Sequence, residues 1–422
     1  MLELLKEDNM LVRREWMLLA VLLTAPMDTA TGNVITDWDE KTIALVQPGT
    51  VFPPPTALRT TALLHLAMFN AVNSIEHRYK RYGLQLVAAP DTSQEAAAAS
   101  AAGAVLMELV PNAAAEIQAA ETSYLAKLPD DAAKSAGIKL GQEAAAKILA
   151  MRANDGSSAP DAYRPKTKPG VYIPTAITVG WSFAQVRPFA LASPSQFRPK
   201  PPPPLTSALW ARDYNEIKEI GEKNSTKRTP RQTEDARFWI AVNPGMSHQL
   251  ERQVVIAKKM DIVDSAHLMA LVSVAEADAG IALFEAKYTY EFWRPITAIR
   301  NGDIDGNPAI ERDASWQPFD VTPMHPEYPC AHCIINSAIA AVIRTELGTD
   351  EIPEVALTSP TAPGVTHHFS SLRAYTDEIA TARICAGFHY RNSTVVGTEM
   401  GRQIGEYVTK TIMQPAQAAM IH

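Results

Sequence analysis

Apolar residues recur at helical spacing along most of this chain. From Thr56 to His77, Leu64, Met68, Ala71, Val72 and Ile75 follow the 3.6-residue period directly after Pro53-Pro54-Pro55, which predicts an amphipathic helix. Gln94–Val110 and Ala113–Leu128 are alanine-rich with scattered larger apolar side chains, and Lys134–Arg152 continues the pattern until Asn154-Asp155-Gly156 breaks it. The first 150 residues therefore read as helical throughout. Helical pattern resumes over Ser207–Glu222, Thr233–Val242, Glu251–Tyr290, Cys333–Leu347 and Tyr375–Phe388, and neither alternating strands nor an internal repeat stands out. The expected fold class is all-α, a helical bundle.

Residues 160–204 interrupt this pattern with 11 of the 31 prolines, ending in Pro201-Pro202-Pro203-Pro204, and so exclude regular helix or central strand. A flexible linker rarely carries as many aromatics as Trp181, Phe183, Phe189 and Phe197, so the stretch is expected to wrap one body as a packed arm. At the start, Arg13 and Arg14 precede the apolar run Trp16–Ala25, followed by small and polar residues, the layout of a secretory signal. The alternative is a buried first helix; the run is too short to span a bilayer. The expected organisation is a signal peptide over residues 1–30 and a single helical domain over 31–422, periplasmic or secreted. No other segment reads as transmembrane, so the mature protein is expected to be soluble, and its long apolar helices are compatible with a homodimer.

At 422 residues the chain can bury a large core without external staples. A formal charge of −7 and a pI near 5.8 argue against nucleic-acid binding, which demands a basic face, so any basic site must be local. Three cysteines, Cys330, Cys333 and Cys385, are too few for a disulfide scaffold.

Three segments hold the chemistry. Lys287-Tyr-Thr-Tyr-Glu-Phe-Trp-Arg294-Pro295 places a lysine and an arginine seven apart, only ~20° apart on a continuous helix, so both charges can reach one anion. The plain alternative is a solvated face with Glu291 pairing Lys287. Pro329-Cys330-Ala331-His332 puts a histidine at the start of a helix, where free N–H groups and the positive dipole end attract anions, although such a histidine is often only a local hydrogen-bonding residue. His325 reads as structural. Arg383-Ile-Cys-Ala-Gly-Phe-His389 sets its two basic residues roughly 120° apart on a helix, so their convergence requires a break, and Gly387 lies between them. Together these donors suit a tetrahedral oxyanion such as phosphate or vanadate.

In this order and spacing the segments resemble the signature of the vanadium-dependent haloperoxidases and the type 2 phosphatidic-acid-phosphatase superfamily: K-x6-R-P, then P-S-G-H, then S-R-x5-H-x3-D. Pro54–Glu76, Gly137–Gly156, Phe189–Ser207, Arg228–Trp239, Phe292–Arg300 and Thr366–Asp377 look like the bacterial haloperoxidase branch. The resemblance implies that Lys287, Arg294 and Arg383 balance the charge of vanadate, with phosphate able to occupy the same site. It implies that His389 is the ligand to vanadium, or a phosphatase's nucleophile, and His332 the opposing acid/base, with backbone N–H groups of Cys330 and Ala331 completing the cradle. The implied activity is halide oxidation by hydrogen peroxide, with Lys287 polarising the peroxide. The alternatives are an acid phosphatase acting on a phosphomonoester and a non-catalytic oxyanion binder.

The pattern departs from this signature at Cys330 for serine, Ala331 for glycine, Ala382 for serine and Ser393 for aspartate. Alanine restricts the backbone where glycine does not, and loss of the aspartate removes a carboxylate partner for His389, for which Asp377 is a candidate substitute. A thiol at Cys330 among cations should be easily oxidised, an objection that pairing with Cys333 or Cys385 would remove. Cys330-Ala-His-Cys333 also resembles a thiol–disulfide motif without its βαβ setting, and Asp303-Ile-Asp305-Gly306-Asn307 reads as a surface turn rather than a calcium loop.

Overall fold

The computed structural model describes residues 32–46, 54–174, 176–241 and 244–416. The expected signal peptide lies outside the described residues. Thirteen α-helices occur among them: α1 (Val34–Val46), α2 (Pro54–Glu76), α3 (Gln94–Leu109), α4 (Ala114–Leu125), α5 (Ala132–Arg152), α6 (Ala208–Ile220), α7 (Pro230–Phe238), α8 (Pro244–Ala257), α9 (Ile262–Tyr290), α10 (Pro295–Arg300), α11 (Ala331–Leu347), α12 (Leu372–Cys385) and α13 (Arg391–Thr411). The all-α reading holds.

Six of the thirteen starts are capped by serine, threonine or aspartate side chains. Ser93, Asp131, Ser207, Asp261 and Ser371 each accept the amide three residues on, and Thr229 with Gln232 forms a reciprocal capping box on α7. One break escaped the periodicity. The expected run Glu251–Tyr290 is two helices, because Lys259 turns left-handed (φ 50°) and Asp261 caps a new start, while apolar positions on both sides stay in register. The structure also corrects the absence of strands. β1 (Glu351–Thr358) and β2 (Thr366–Ser371) form an antiparallel hairpin with Val355 opposite Phe369 and Leu357 opposite His367. Gln253 of α8 both donates to and accepts from the backbone of Ala356, which satisfies part of the hairpin's open edge.

Helix α9 is the axis of the molecule. Its apolar length suffices to cross a membrane, contrary to the expectation that no further segment would, but that stretch is wholly buried within the protein, against α2, α11 and α13. Helix α13 packs closely on α11 because Gly397, Gly401 and Gly405 face it; a methyl at Gly401 or Gly405 would overlap the carbonyl oxygens of Ile334 or Ala338.

The proline-rich stretch lies along α9 without helix apart from one 3-10 turn, Ser182–Gln185. Phe183 and Phe189 are buried in the main core, and Phe197 is half-buried with its ring edge-on to Tyr407. A buried carboxylate fixes it. Asp278 of α9 accepts the amides of Phe189 (2.6 Å), Ala190 (2.8 Å) and Leu191 (2.9 Å). Burial still lifts Asp278 to about 6 against the pull of those three donors. Replacing it strands three amides in a dry interior. Asp278→Ala is expected to lower unfolding stability by about 3 kcal/mol, and Asp278→Asn, which keeps one acceptor, by less; urea denaturation of the two variants measures both.

Candidate functional site

Lys287 and Arg294 do meet, but not on one helix. Glu291 adopts a left-handed conformation (φ 48°, ψ 34°) that ends α9, and Arg294 is the extended residue before α10. The alternative, a solvated face with Glu291 pairing Lys287, is not what forms; Glu291 binds Lys166 at 2.6 Å. Lys287 turns inward and donates to the carbonyls of Pro326 (2.9 Å) and Glu327 (2.8 Å), with no third acceptor among the described residues. Arg294 donates through Nε to the His325 carbonyl (2.9 Å) and through Nη1 to the Phe388 carbonyl (2.9 Å).

The third cation arrives from α12. That helix ends at Cys385, and Gly387 (φ 76°) reverses the chain against Gly221, where a Cβ would strike backbone. This is the break that Arg383 and His389 require. Arg383 donates to the Trp239 carbonyl (2.5 Å) and lies over the Phe388 ring (4.7 Å), while its Nε has no partner. Lys287, Arg294 and Arg383 are 0 %, 1 % and 1 % exposed. Burial lowers all three, Lys287 well below the usual lysine range with Arg294 adding repulsion, and Arg383 to about 10.

His389 sits among these cations with a defined tautomer. Arg294 Nη1, which can only donate, lies 3.2 Å from His389 Nε2, so Nε2 carries the lone pair and Nδ1 the proton. That proton points at Glu327 Oε1, 2.8 Å away. Burial, and then Arg294, Lys287 and Arg383, hold the ring neutral. Glu327 is therefore the carboxylate that the sequence left missing at position 393. Asp377 is not: it is exposed on α12 beside Arg373. Ser393 lies at the same end of the site beside Glu327, and its buried hydroxyl helps draw that carboxyl down against the push of burial.

His332, the second residue of α11, donates from Nε2 to the Ala241 carbonyl (3.2 Å) and is held neutral by burial and then by Arg383. His325, read as structural from the sequence, belongs to the site. Its Nδ1 accepts from Arg294 Nη2 (3.0 Å), and its ring stands edge-on to Phe284 (5.5 Å). Both histidines line a cavity of about 200 Å³ walled by Leu58, Trp239, Met246, Leu283, Phe284 and Ile335. A second cavity, about 560 Å³, reaches Arg294 from the other side.

The Cys-Ala substitution is milder than its chemistry suggests. Ala331 is the first helical residue of α11 and needs no glycine conformation. Cys330 takes serine's capping role, its sulfur accepting the Cys333 amide at 3.4 Å. One expectation is corrected: the N–H of Cys330 already donates to the Ser393 carbonyl (3.3 Å), so Ala331 offers the first free amide of the helix. All three cysteines are buried thiols. The Cys333 thiol donates to Cys330 at 2.7 Å, whereas Cys385 packs against Ala236 and Phe388. Against the upward push of burial, the Cys333 contact and Arg383 draw the Cys330 thiol down.

An oxyanion fits this donor set. Three buried cations face one carboxylate, Arg383 Nε and one Lys287 proton lack acceptors among the described residues, and the unprotonated Nε2 of His389, in contact with Arg294, is presented among them. Glu327, raised by burial to about 7, is the group whose protonation the site controls. Because its folded value lies above its unfolded one, the stability it contributes is present below about pH 4.5 and lost as pH rises through about 7. In buffer free of oxyanions, the wild type is thus expected to lose thermal stability relative to Glu327→Gln between those values, read from melting temperatures across the range.

Residues 267–418 match the family model described as the VCPO second helical-bundle domain, a span that contains Lys287, Arg294, His325, Glu327, Cys330, His332, Arg383 and His389 but not the acceptor carbonyls of Trp239 and Ala241 or the cavity-wall residues Leu58 and Met246. A vanadium chloroperoxidase from Curvularia inaequalis is 28 % identical over 229 residues, covering 40 % of this chain; the chain spans 37 % of the length of that relative. The crystal structure of a bacterial vanadium-dependent iodoperoxidase superposes with a TM-score of 0.78 at 23 % identity, over 91 % of this chain and 98 % of that one. A holo-type bacterial vanadium-dependent chloroperoxidase gives 0.72 at 18 % identity, over 92 % and 98 %. At such identities the superpositions establish the fold, and the family model adds a likeness over residues 267–418, the segment that carries the site. The chain has the fold of these bacterial vanadium-dependent peroxidases.

Proposed function

We propose that this protein is a vanadium-dependent haloperoxidase that holds vanadate among Lys287, Arg294, Arg383 and His389 and oxidises halide with hydrogen peroxide. The observation that carries the reading is the excess of buried positive charge. Three cations with a single carboxylate in reach are destabilised by desolvation unless a multiply charged anion joins them.

Bound vanadate would supply the Lewis acidity that activates hydrogen peroxide toward two-electron oxidation of a halide. The protein's part follows from its own atoms. Lys287, Arg294 and Arg383 offer charge-assisted hydrogen bonds that the fold orients before any ligand arrives. Glu327 keeps the His389 proton on Nδ1, so Nε2 remains free to bind a metal centre. His332, with its Nε2 proton on Ala241, has Nδ1 available to accept a proton from substrate and return it. The cavity beside it has mostly apolar walls, which suits a small peroxide or halide and limits bulk water. The N-terminal pattern of Arg13-Arg14 and Trp16–Ala25 supports export to the periplasm or beyond.

The same geometry favours a second reading. A histidine whose Nδ1 is held by a carboxylate is also a competent nucleophile, so Glu327 removes the main sequence argument against a phosphatase using His389 and His332. Vanadate would then inhibit. Two assays on purified protein separate the readings: halogenation of an acceptor with orthovanadate, hydrogen peroxide and bromide, and hydrolysis of a phosphomonoester. Halogenation that requires vanadate is expected, falling at least about a hundredfold in His389→Ala; hydrolysis that vanadate suppresses, without halogenation, overturns the proposal. Arg383→Ala is expected to weaken vanadate binding about 30-fold or more, read by equilibrium titration. Glu327→Gln should cost about ten- to a hundredfold in halogenation rate, and Ser393→Asp in that background should recover part of it.

A further inference from the structure

Four helices bring five ionisable side chains to one fully buried point outside the oxyanion site. They are Asp39 of α1, His65 of α2, His248 and Glu251 of α8, and Glu276 of α9, each 0 % exposed. Asp39 Oδ1 lies 2.9 Å from His65 Nε2 and 2.6 Å from His248 Nδ1. Glu251 Oε2 stands 3.8 Å from that same Nδ1. Asp39, His65 and His248 bring one ligand atom each within 4.8 Å of one another, between imidazoles whose rings stack at 6.1 Å, and His248 does the same with Glu251 and Glu276.

Behind them the arrangement continues. The other nitrogen of His248, Nε2, faces Glu276 Oε2 at 3.2 Å, and Glu276 Oε1 accepts from the Ser247 hydroxyl at 2.7 Å. A carboxylate that fixes the rear nitrogen of an imidazole is the usual support for a histidine that ligates through its front nitrogen. The charges leave a vacancy of defined size. Three carboxylates meet one guanidinium, Arg252, which binds Asp39 Oδ2 at 2.5 Å, and one imidazolium, since both nitrogens of His248 face carboxylates that can only accept and so hold it protonated; one negative charge remains. Most telling, neither oxygen of Glu251 has a hydrogen-bond partner, although the side chain is entirely buried. Nothing among the described residues satisfies it.

We infer that Asp39, His65, His248 and Glu251 form a binding site for a divalent first-row transition ion, with Glu276 orienting His248 from behind. Two imidazoles with carboxylate oxygens suit zinc(II), cobalt(II) or manganese(II) better than calcium or magnesium, which prefer all-oxygen shells. A divalent ion that takes the place of the His248 Nδ1 proton neutralises the cluster and gives Glu251 its missing partner. Entry is open through Ser247 and Glu276, which form part of the wall of the 200 Å³ cavity. The site ties α1 to the helices around α9 and is independent of vanadate.

The test uses untagged full-length protein, stripped with chelator and then dialysed against zinc(II) or cobalt(II). Elemental analysis is expected to find about one ion per chain, and the cobalt form to show the visible absorption of imidazole and carboxylate ligation. Glu251→Gln and His65→Asn should each weaken zinc binding at least about tenfold in calorimetric titration, while Glu234→Gln, in the separate Glu234–Asp235–His367 group, leaves it unchanged. No uptake by the wild type, or binding that survives both Glu251→Gln and His65→Asn, overturns the proposal. If a variant fails to fold, the wild-type stoichiometry and cobalt spectrum decide.

Discussion

Desolvated positive charge is the constraint around which this molecule is organised. A lysine and two arginines lie beneath the surface with almost no contact with water. Each is tolerated because backbone carbonyls have been turned toward it: Pro326 and Glu327 to Lys287, His325 and Phe388 to Arg294, Trp239 to Arg383. Carbonyls in regular helices are occupied by amides four residues on, so these acceptors have to come from irregular chain. That is why an all-helical protein gathers its chemistry where helices stop. The left-handed Glu291, the reversal at Gly387 and the start of α11 at Cys330 all serve the same pocket.

The rigid background for this is α9. It carries Asp278, which fixes the proline-rich arm, then Glu276 beside the buried histidines, and finally Lys287 at the oxyanion site. The chain's apolar patterning predicts such a helix, and its polar exceptions mark where it has work to do. A buried carboxylate or ammonium on a core helix survives only with partners, so each of these three names a place where another segment must dock.

Much of this was legible in the sequence. The helices follow from period and caps, and the five basic residues of the pocket come together as their motif order implies. What stayed hidden depends on contacts between segments far apart in the chain. Lys287 and Arg294 satisfy a seven-residue helical spacing, yet they meet across a helix end, and both geometries read alike along the sequence. The split between α8 and α9 leaves the apolar phase intact, so periodicity cannot register it. The hairpin strands Glu351–Thr358 and Thr366–Ser371 carry a proline, charges and histidines and alternate only weakly. Glu327 escaped because a carboxylate in a loop has no pattern at all. Its one trace was its setting, His325-Pro326-Glu327-Tyr328-Pro329, a charged residue between prolines just ahead of the oxyanion motif.

Those few residues have a mechanical consequence. Residues 325–327 supply the acceptors of Lys287, two contacts of Arg294 and the partner of His389, and the segment is itself anchored by the Glu327 amide on Phe292. Three groups, Lys287, Arg294 and His389, are thus indexed to one short piece of backbone. The pocket behaves like a keystone arch: displacement of that piece releases all three together. Gradual damage elsewhere in the protein should therefore appear at the site as a change in the number of working molecules rather than as a change in how well each one works.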